Sequence, residues 1–591
     1  MPVSTSPAGP ARPDRPDRPS GPGPAGPPPA RADERPRSVL YLAASVYSPA
    51  DPFATALLVE GDRVSWVGSH EAAHAQRGRA DVVVEAPGAL VTAGFVDAHA
   101  HVTEAGLAAG GLDLTDVASA DELLDRVAAA AAADPGRPLL GHGWDDDAWA
   151  ARGGAAGARL PSREELDRAA GGAEVLLSRV DVHSALVSSA LADRAGLAGL
   201  EGAGEGALVR LRAHDVARDA SRRLAPAERE RAQRRGLAAA AAAGVATVTE
   251  CSAPHVGSPD DLRALRALSD AGEVPEVLAY WGALARDEAE AAAALADVEG
   301  AGVLGLAGDL CVDGSYGSRT AWLRAPYADL AGTGLPAAHA GVPHLRAADV
   351  ADHLVACTRA GVQGGFHVIG DAAADALVEG LLAAEARVGT AVLASARHRV
   401  EHLEAPDARA VAELARLGVV ASVQPAFDAR WGGPDGLYAR RLGSERASAL
   451  NPFADLAAAG VPLALGSDAP VTPFDPWGAV RAAAAATPGP GARARGLSAR
   501  AAFLAHTRGG WRAARRDGEG VLVPGALATL AVWEVGDLVV QAADARVSSW
   551  STDPRSGVPG LPDLSEGAAA PRCLRLLRAG RVLHDTGDLA A

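Results

Sequence analysis

The sequence predicts an α/β protein: a (β/α)8 TIM-like barrel with an inserted subdomain, flanked by a small β-sandwich built from both ends of the chain. Three observations carry this reading. Eight short apolar runs alternate with helix-length stretches over residues 93–515, the pattern of repeated β/α units. One gap, about 102–235, is too long for a single crossover and holds strand-like runs of its own. Residues 38–92 and 516–591 share a different texture, short β runs broken by turns.

Taken in order, residues 1–37 are rich in Pro, Gly, Arg and Ala and read as a disordered tail. They hold no apolar stretch of signal-peptide kind. The first β segment comes next, in Val39–Leu42, Ala56–Val59, Val64–Val67 and Val82–Val84. Its expected partners are Gly520–Gly525, Ala528–Trp533 and Leu574–Leu577 near the other end. The eight barrel strands are predicted at Phe95–His101, Val245–Glu250, Val277–Trp281, Gly308–Asp313, Gly365–Ile369, His398–His402, Val419–Gln424 and Leu463–Asp468. Leu139–His142 and Val175–Ser178 are the strand-like runs of the insertion, and the alanine runs near 127–133, 238–243 and 481–486 read as helices.

Composition excludes several classes. The chain of 591 residues carries a net charge of -17, with arginine scattered and no basic face, so nucleic acid is not expected as a partner. No window holds the roughly 18 uncharged apolar residues that a membrane span needs. Four cysteines in so long a chain give no disulfide framework, which fits a cytoplasmic setting. All 56 basic residues are arginines. Schiff-base, P-loop and pyridoxal-anchoring lysines are therefore excluded.

The chemistry lies where the apolar runs end. Side chains alternate along a strand, so Asp97, His99 and His101 share one face. His367, His402 and Asp468 close the fifth, sixth and eighth runs. Any one of these histidines, alone, reads as a packed or capping residue. Together, at the ends of strands in one barrel, they need a shared partner, and a divalent cation supplies it.

These motifs resemble the amidohydrolase superfamily, in particular its amidohydrolase 3 type, the N-substituted formamide deformylase-like branch. The resemblance covers roughly residues 38–586 and rests on ordered motifs. They are Gly94-Phe-Val-Asp-Ala-His-Ala-His101, Gly141-His-Gly-Trp-Asp145, Asp313-Gly-Ser-Tyr-Gly-Ser-Arg-Thr-Ala321, His367-Val-Ile-Gly-Asp371, Arg399-Val-Glu-His402 and Gly466-Ser-Asp-Ala-Pro470. It implies that His99, His101 and Asp468 hold the more buried metal. His367 and His402 then hold a second metal, or bind the first metal's water and the substrate. Two-metal relatives bridge their ions with a carboxylated lysine on strand four, which this chain lacks. Asp309 matches that position on a shorter stem, with Cys311 on the same face as an alternative soft ligand. One ion is therefore expected ahead of two. Zinc suits the imidazole-rich set, with Mn²⁺, Fe²⁺ and Co²⁺ as alternatives.

The implied reaction is hydrolysis of a non-peptide C–N bond in an amide- or formamide-like small molecule. A metal-activated water attacks, and Asp468 serves as base and then acid. Asp97, Asp371 and Glu401 are expected to orient the ligating imidazoles from behind. His142, Trp144, His183, Arg319 and Gln424 are expected substrate contacts, and Trp144 with Trp322 hints at an apolar or aromatic substrate group. Two other readings stand beside this one: a deaminase of a heterocyclic ring, and a non-catalytic metal-binding scaffold. The deaminase would favour one metal and an acid after strand five, where only Asp371 stands. The scaffold would be expected to lose Asp468, which is present. A barrel of this size is also expected to be able to form a homo-oligomer.

Overall fold

The structure, a computed structural model, describes residues 37–153, 159–204, 206–485, 496–539 and 559–590. The tail expected over 1–37 lies outside them except for Arg37. The described chain is a mixed α/β fold. Its centre is eight parallel strands: Phe95–Ala100, Val245–Ser252, Glu276–Trp281, Gly305–Leu306, Gln363–Val368, Arg399–His402, Val420–Val423 and Leu463–Leu465. They hydrogen-bond as two sheets. One holds the third, second and first strands; the other holds the fourth to eighth in sequence order. Isolated parallel bridges stand at the sheet edges, between Ala279 and Val303 and between Ala100 and Ala469.

The first, second and fifth strands are buried along their whole length. Both faces of such strands are covered, which is why they read as continuous apolar runs and not as alternating ones. Within the described residues the alanine runs fall in helices Ala120–Ala133, Pro226–Ala242 and Pro476–Ala485, with Ala243 as a cap and Ala486 outside the described residues. Alanine loses no side-chain entropy on entering a helix, and small side chains let a helix lie close to a sheet. Pro226 opens its helix where its missing N–H costs nothing.

The fourth strand corrects the sequence reading. It runs Gly305–Leu306, breaks at 307–310, and rejoins the fifth strand only through a parallel bridge between Cys311 and His367. Gly308 adopts φ 87°, a left-handed conformation that turns the chain out of the strand. Asp309 therefore reaches the centre from a loop, and strand alternation does not set the directions of the side chains after it.

The insertion forms its own five-stranded sheet in the order Leu208–Arg210, Ser184–Val187, Val175–Arg179, Leu139–Trp144, Leu112–Asp113. The two ends of the chain meet in one continuous seven-stranded sheet, where the sequence reading expects a sandwich. Its order is Arg581–Asp585, Arg572–Arg578, Leu530–Glu534, Val82–Ala93, Ser38–Val46, Ala56–Glu60, Arg63–Gly68. Gly520–Gly525 is not one of its strands: both glycines have positive φ and enclose an irregular turn. Phe95, at the start of the first central strand, packs edge-on against Trp477, Phe503 and Trp533 at 5.1, 5.6 and 5.6 Å between ring centres. Trp533 belongs to the terminal sheet, so this aromatic cluster ties that sheet to the strands that carry the site. No helix among the described residues is long and apolar enough to cross a membrane.

Candidate metal and active site

His99 and His101 project from the end of the first strand toward residues from three other strand ends. His101 Nε2 lies 3.2 Å from Asp309 Oδ2 and 3.1 Å from Asp468 Oδ1. His99 Nε2 lies 3.4 Å from Asp309 Oδ1 and 3.5 Å from Asp468 Oδ1. His367 Nδ1 is 3.7 Å from Asp309 Oδ1, and the rings of His367 and His402 are 4.4 Å apart. Three overlapping triads result: His99, His101 and Asp309; His99, His402 and Asp468; Asp309, His367 and His402. Asp309 belongs to two of them. The loop entry after Gly308 compensates for its short stem and carries its carboxylate between the two histidine pairs.

The electrostatics ask for a cation. His99 Nε2, His101 Nδ1, both ring nitrogens of His402, Asp309 Oδ1 and Asp468 Oδ1 are buried without a hydrogen-bond partner. Such orphaned polar atoms are costly unless something binds them. Burial works to lower the pKa of His101, yet Asp309 and Asp468 push it up to about 10, so a proton is drawn to where positive charge is needed. At His402 the pull of Asp309 is outweighed. Burial and the neighbouring imidazoles of His367 and His99 hold it well below the ordinary range, as a neutral donor.

The imidazoles are oriented from behind. His99 Nδ1 donates to Glu401 Oε2 at 2.9 Å, which leaves Nε2 free to face the carboxylates. Arg399 grips Glu401 with two bonds of 2.5 and 2.9 Å, donates to the Ala98 carbonyl at 2.8 Å, and stacks 4.4 Å over the Tyr280 ring. Burial works to raise Glu401, but Arg399 and His99 hold it near 2. His367 Nε2 donates to the Gly314 carbonyl at 3.2 Å, which aims its Nδ1 at Asp309. His402 and Asp468 adopt φ 67° and 55°. Strained backbone of this kind costs on the order of 1–3 kcal/mol per residue and clusters where function requires it.

Glu401 stands where the sequence places it, but the other two expected orienting carboxylates do not touch an imidazole. Asp97 accepts from the backbone N–H of Ser467 at 3.0 and 3.1 Å and of His99 at 3.2 Å. It shares the face of His99 but lies two residues deeper, roughly 6.6 Å along the strand. It therefore fastens the first strand to the loop after the eighth. Asp371 opens the helix after the fifth strand and accepts from the Arg324 N–H at 2.8 Å. The carboxylate that secures the end of that strand is Asp313, which accepts from the N–H groups of Ile369, Gly370 and Trp322 at 3.0, 2.8 and 2.8 Å. Cys311 turns away, its sulfur 3.9 Å from His255 Nε2. Cys251 of the second strand is the thiol that faces His99 and Glu401, with burial pushing it up to about 11.

Of the expected substrate contacts, His183 lines the pocket over the site, with its ring 5.7 Å from that of His367. Burial and the neighbouring His367 lower it to about 4, so it is neutral. Gln424 is buried beside His402. The other three stand elsewhere. Trp144 is in the core of the insertion and donates to the Leu177 carbonyl at 2.7 Å. Arg319 closes a two-bond pair with Asp329 at 2.7 and 3.0 Å. His142 bonds the Pro470 carbonyl at 3.0 Å and borders a different cleft. Trp322 carries Arg346 5.1 Å over its ring. The aromatic lining of this pocket is Tyr316, Phe427, Trp431 and Tyr438. The sequence reading passed over these residues. Their signal is that Phe427 and Trp431 sit just beyond the seventh strand, on the segment that closes over strand ends.

The family model for the amidohydrolase family, Amidohydro_3, matches residues 82–583. The chain belongs to this family. Protein LONG AFTER FAR-RED 3 of Arabidopsis thaliana is 27% identical over 513 residues, covering 81% of this chain and 84% of that protein. The putative amidohydrolase YtcJ of Bacillus subtilis is 25% identical over 467 residues, covering 72% of this chain and 80% of its own. The solved structure of an uncharacterized metal-dependent hydrolase from Pyrococcus furiosus shares the fold, with a TM-score of 0.63 and 24% identity over 84% of this chain and 98% of that one. A counterpart from Pyrococcus horikoshii aligns with a TM-score of 0.64 and 23% identity, over 84% of this chain and 98% of its own.

Proposed function

We propose that this member of the amidohydrolase family is a metal-dependent hydrolase that cleaves a non-peptide C–N bond of an amide- or formamide-like small molecule. One observation carries the reading: a buried set of imidazole nitrogens and carboxylate oxygens converges on one place, and several of them, His99 Nε2, both nitrogens of His402, Asp309 Oδ1 and Asp468 Oδ1, have no hydrogen-bond partner. His99, His101 and Asp468 would hold one divalent ion, and His367 and His402 a second. Asp309, which belongs to a triad on each side, supports two ions over the single ion that the missing lysine suggests. The imidazole-rich set favours zinc. The two isolated bridges at the sheet edges support a reading of the eight strands as one (β/α)8 barrel, whose chemistry sits at the C-terminal strand ends.

A divalent ion held there would lower the pKa of its water toward about 7 and polarise a carbonyl oxygen. Asp468 Oδ1, 3.1 Å from His101 Nε2 and without a hydrogen-bond partner, takes the proton of the attacking water and returns it to the departing nitrogen. Neutral His183, above His367, is placed to donate to the substrate oxygen. The aromatic pocket wall excludes bulk water, which strengthens each of these interactions.

Metal content per chain, on protein purified without added metal or chelator, tests the reading. Two equivalents of a transition metal are expected, and Asp468→Asn is expected to lower turnover by about 10²–10⁴-fold with the fold intact. Protein that retains no metal even after reconstitution refutes the hydrolytic reading.

A further inference from the structure

His367 owes its direction to a loop, and that loop is held from outside the central strands. Its Nε2 donates to the Gly314 carbonyl at 3.2 Å, which leaves Nδ1 facing Asp309. Residues 313–319 form neither strand nor helix, so the Gly314 carbonyl stays in place only if the segment is anchored. Two side chains anchor it. Arg441, from the helix Leu437–Leu442, donates to the carbonyls of Tyr316 and Gly317 at 3.1 and 3.0 Å. From the other side, Asp181 of the insertion accepts from the hydroxyls of Ser315 and Ser318 at 3.0 and 2.8 Å.

The same two residues fasten the insertion to the rest of the chain. Arg441 also donates to Asp147 of the insertion at 2.6 Å and to Asp329 at 2.5 Å. Arg179, another residue of the insertion, donates to Asp147 at 2.7 Å, and its Nη1 lies 3.3 Å from Asp181. Arg441, Arg179 and Asp181 are 2%, 4% and 7% exposed, so these bonds act at low dielectric, where each is strong and each orphaned partner is costly. Backbone strain collects at this junction, with Val182 and Arg319 at φ 51° and 55°. A β-branched residue at positive φ is rare and persists only where its surroundings over-determine it.

We propose that Arg441 and Asp181 are positioning residues for the His367 half of the metal centre. By holding 315–318 they fix the Gly314 carbonyl, so the docking of the insertion sets how well the second ion is held. The inference rests on the two-ion reading for the existence of that ion, and on the bonds above for its control. His99 takes its direction from Glu401 and, behind it, Arg399. The two ions therefore answer differently to the loss of one side chain. Asp313 pins the start of the loop to the end of the fifth strand, so loss of Arg441 tilts the loop and does not unravel it.

The test is zinc binding by the full chain in zinc-buffered solution, read as equivalents per chain against free zinc. The wild type is expected to take up two equivalents, and His367→Gln marks the step that belongs to the His367 side. Arg441→Met and Asp181→Ala should weaken that step by about 10–100-fold, the cost of losing a partner that orients a ligand, and leave the other within about twofold. Val127→Ala opens a cavity in the insertion's own core, away from these bonds, and should keep both steps. If Arg441→Met does not fold, Asp181→Ala decides alone. Two steps that both survive in the variants, that weaken together, or that Val127→Ala disturbs in the same way overturn the proposal and leave the two-ion reading standing. A wild type that binds one ion or none refutes the two-ion reading and this proposal with it.

Discussion

Glu401→Gln separates the orienting role of Glu401 from any need to know the substrate. Glu401 accepts from His99 Nδ1 at 2.9 Å and from Arg399 at 2.5 and 2.9 Å, and Glu401 and Arg399 are 0% and 2% exposed. Glutamine keeps the shape and one acceptor oxygen but loses the charge. The loss acts in two places. His99 loses the partner that fixes its tautomer, so metal affinity should fall by about 10–100-fold, or about 1.4–2.7 kcal/mol. Arg399 loses the charge that neutralises it and keeps at most one bond to the glutamine oxygen beside the Ala98 carbonyl and the Tyr280 ring, so a buried guanidinium stands without a counter-charge. Removing one partner of a buried pair costs about 3–5 kcal/mol, and the retained hydrogen bonding places this variant near the lower figure. Chelator competition measures the first effect, and denaturant unfolding of metal-free protein the second. Adding Arg399→Met removes the orphaned charge and should restore most of the stability but none of the metal affinity. Wild-type affinity and wild-type unfolding in Glu401→Gln would refute the reasoning.

Other consequences are open to direct measurement. Gly308→Ala places a Cβ 3.0 Å from Cys251 Cα and Cβ, at φ 87°. It should cost on the order of 1–3 kcal/mol of stability and, by displacing Asp309, lower the metal bound per chain; unchanged metal content would refute the loop-entry account. Asp181 is buried, which works to raise its pKa, but Arg179, His183, Ser318 and Ser315 hold it near 2, against 3.8 ordinarily. A lowered carboxyl stabilises the fold above its unfolded pKa and loses that contribution as pH falls through its folded one. The stability gap between wild type and Asp181→Asn should therefore be constant above about pH 4 and shrink toward pH 2, as followed by thermal unfolding across that range. A gap independent of pH would remove the charge from the argument.

Much of this protein was legible in its sequence because the signals are local. A buried parallel strand must be apolar along its length, so the strands that carry the site appear as runs, and the polar residue that ends each run marks its mouth. That logic found His99, His101, His367, His402 and Asp468, and the structure brings their side chains together. Closeness in sequence to a histidine named Glu401 as well, and its neighbour Arg399 lies on the same face two residues earlier.

What failed are inferences that need a direction or a partner from elsewhere in the chain. Asp97 and Asp371 are close to histidines in sequence, but one lies too deep in the strand and the other has already turned into a helix. Trp144 and Arg319 sit in motifs, yet each is satisfied by its own neighbourhood: a carbonyl in the insertion core, and Asp329. The reach of Asp309 depends on a left-handed glycine that ends a strand early, and composition does not report φ. The stretch of pocket wall formed by Glu404, Trp431 and Tyr438 comes from a strand end and two later helices. The sequence by itself determined which side chains have metal-binding chemistry and that strand ends present them. Only the tertiary structure decided which of them face one another, because alternation fixes a side of a strand and only packing fixes what stands across from it.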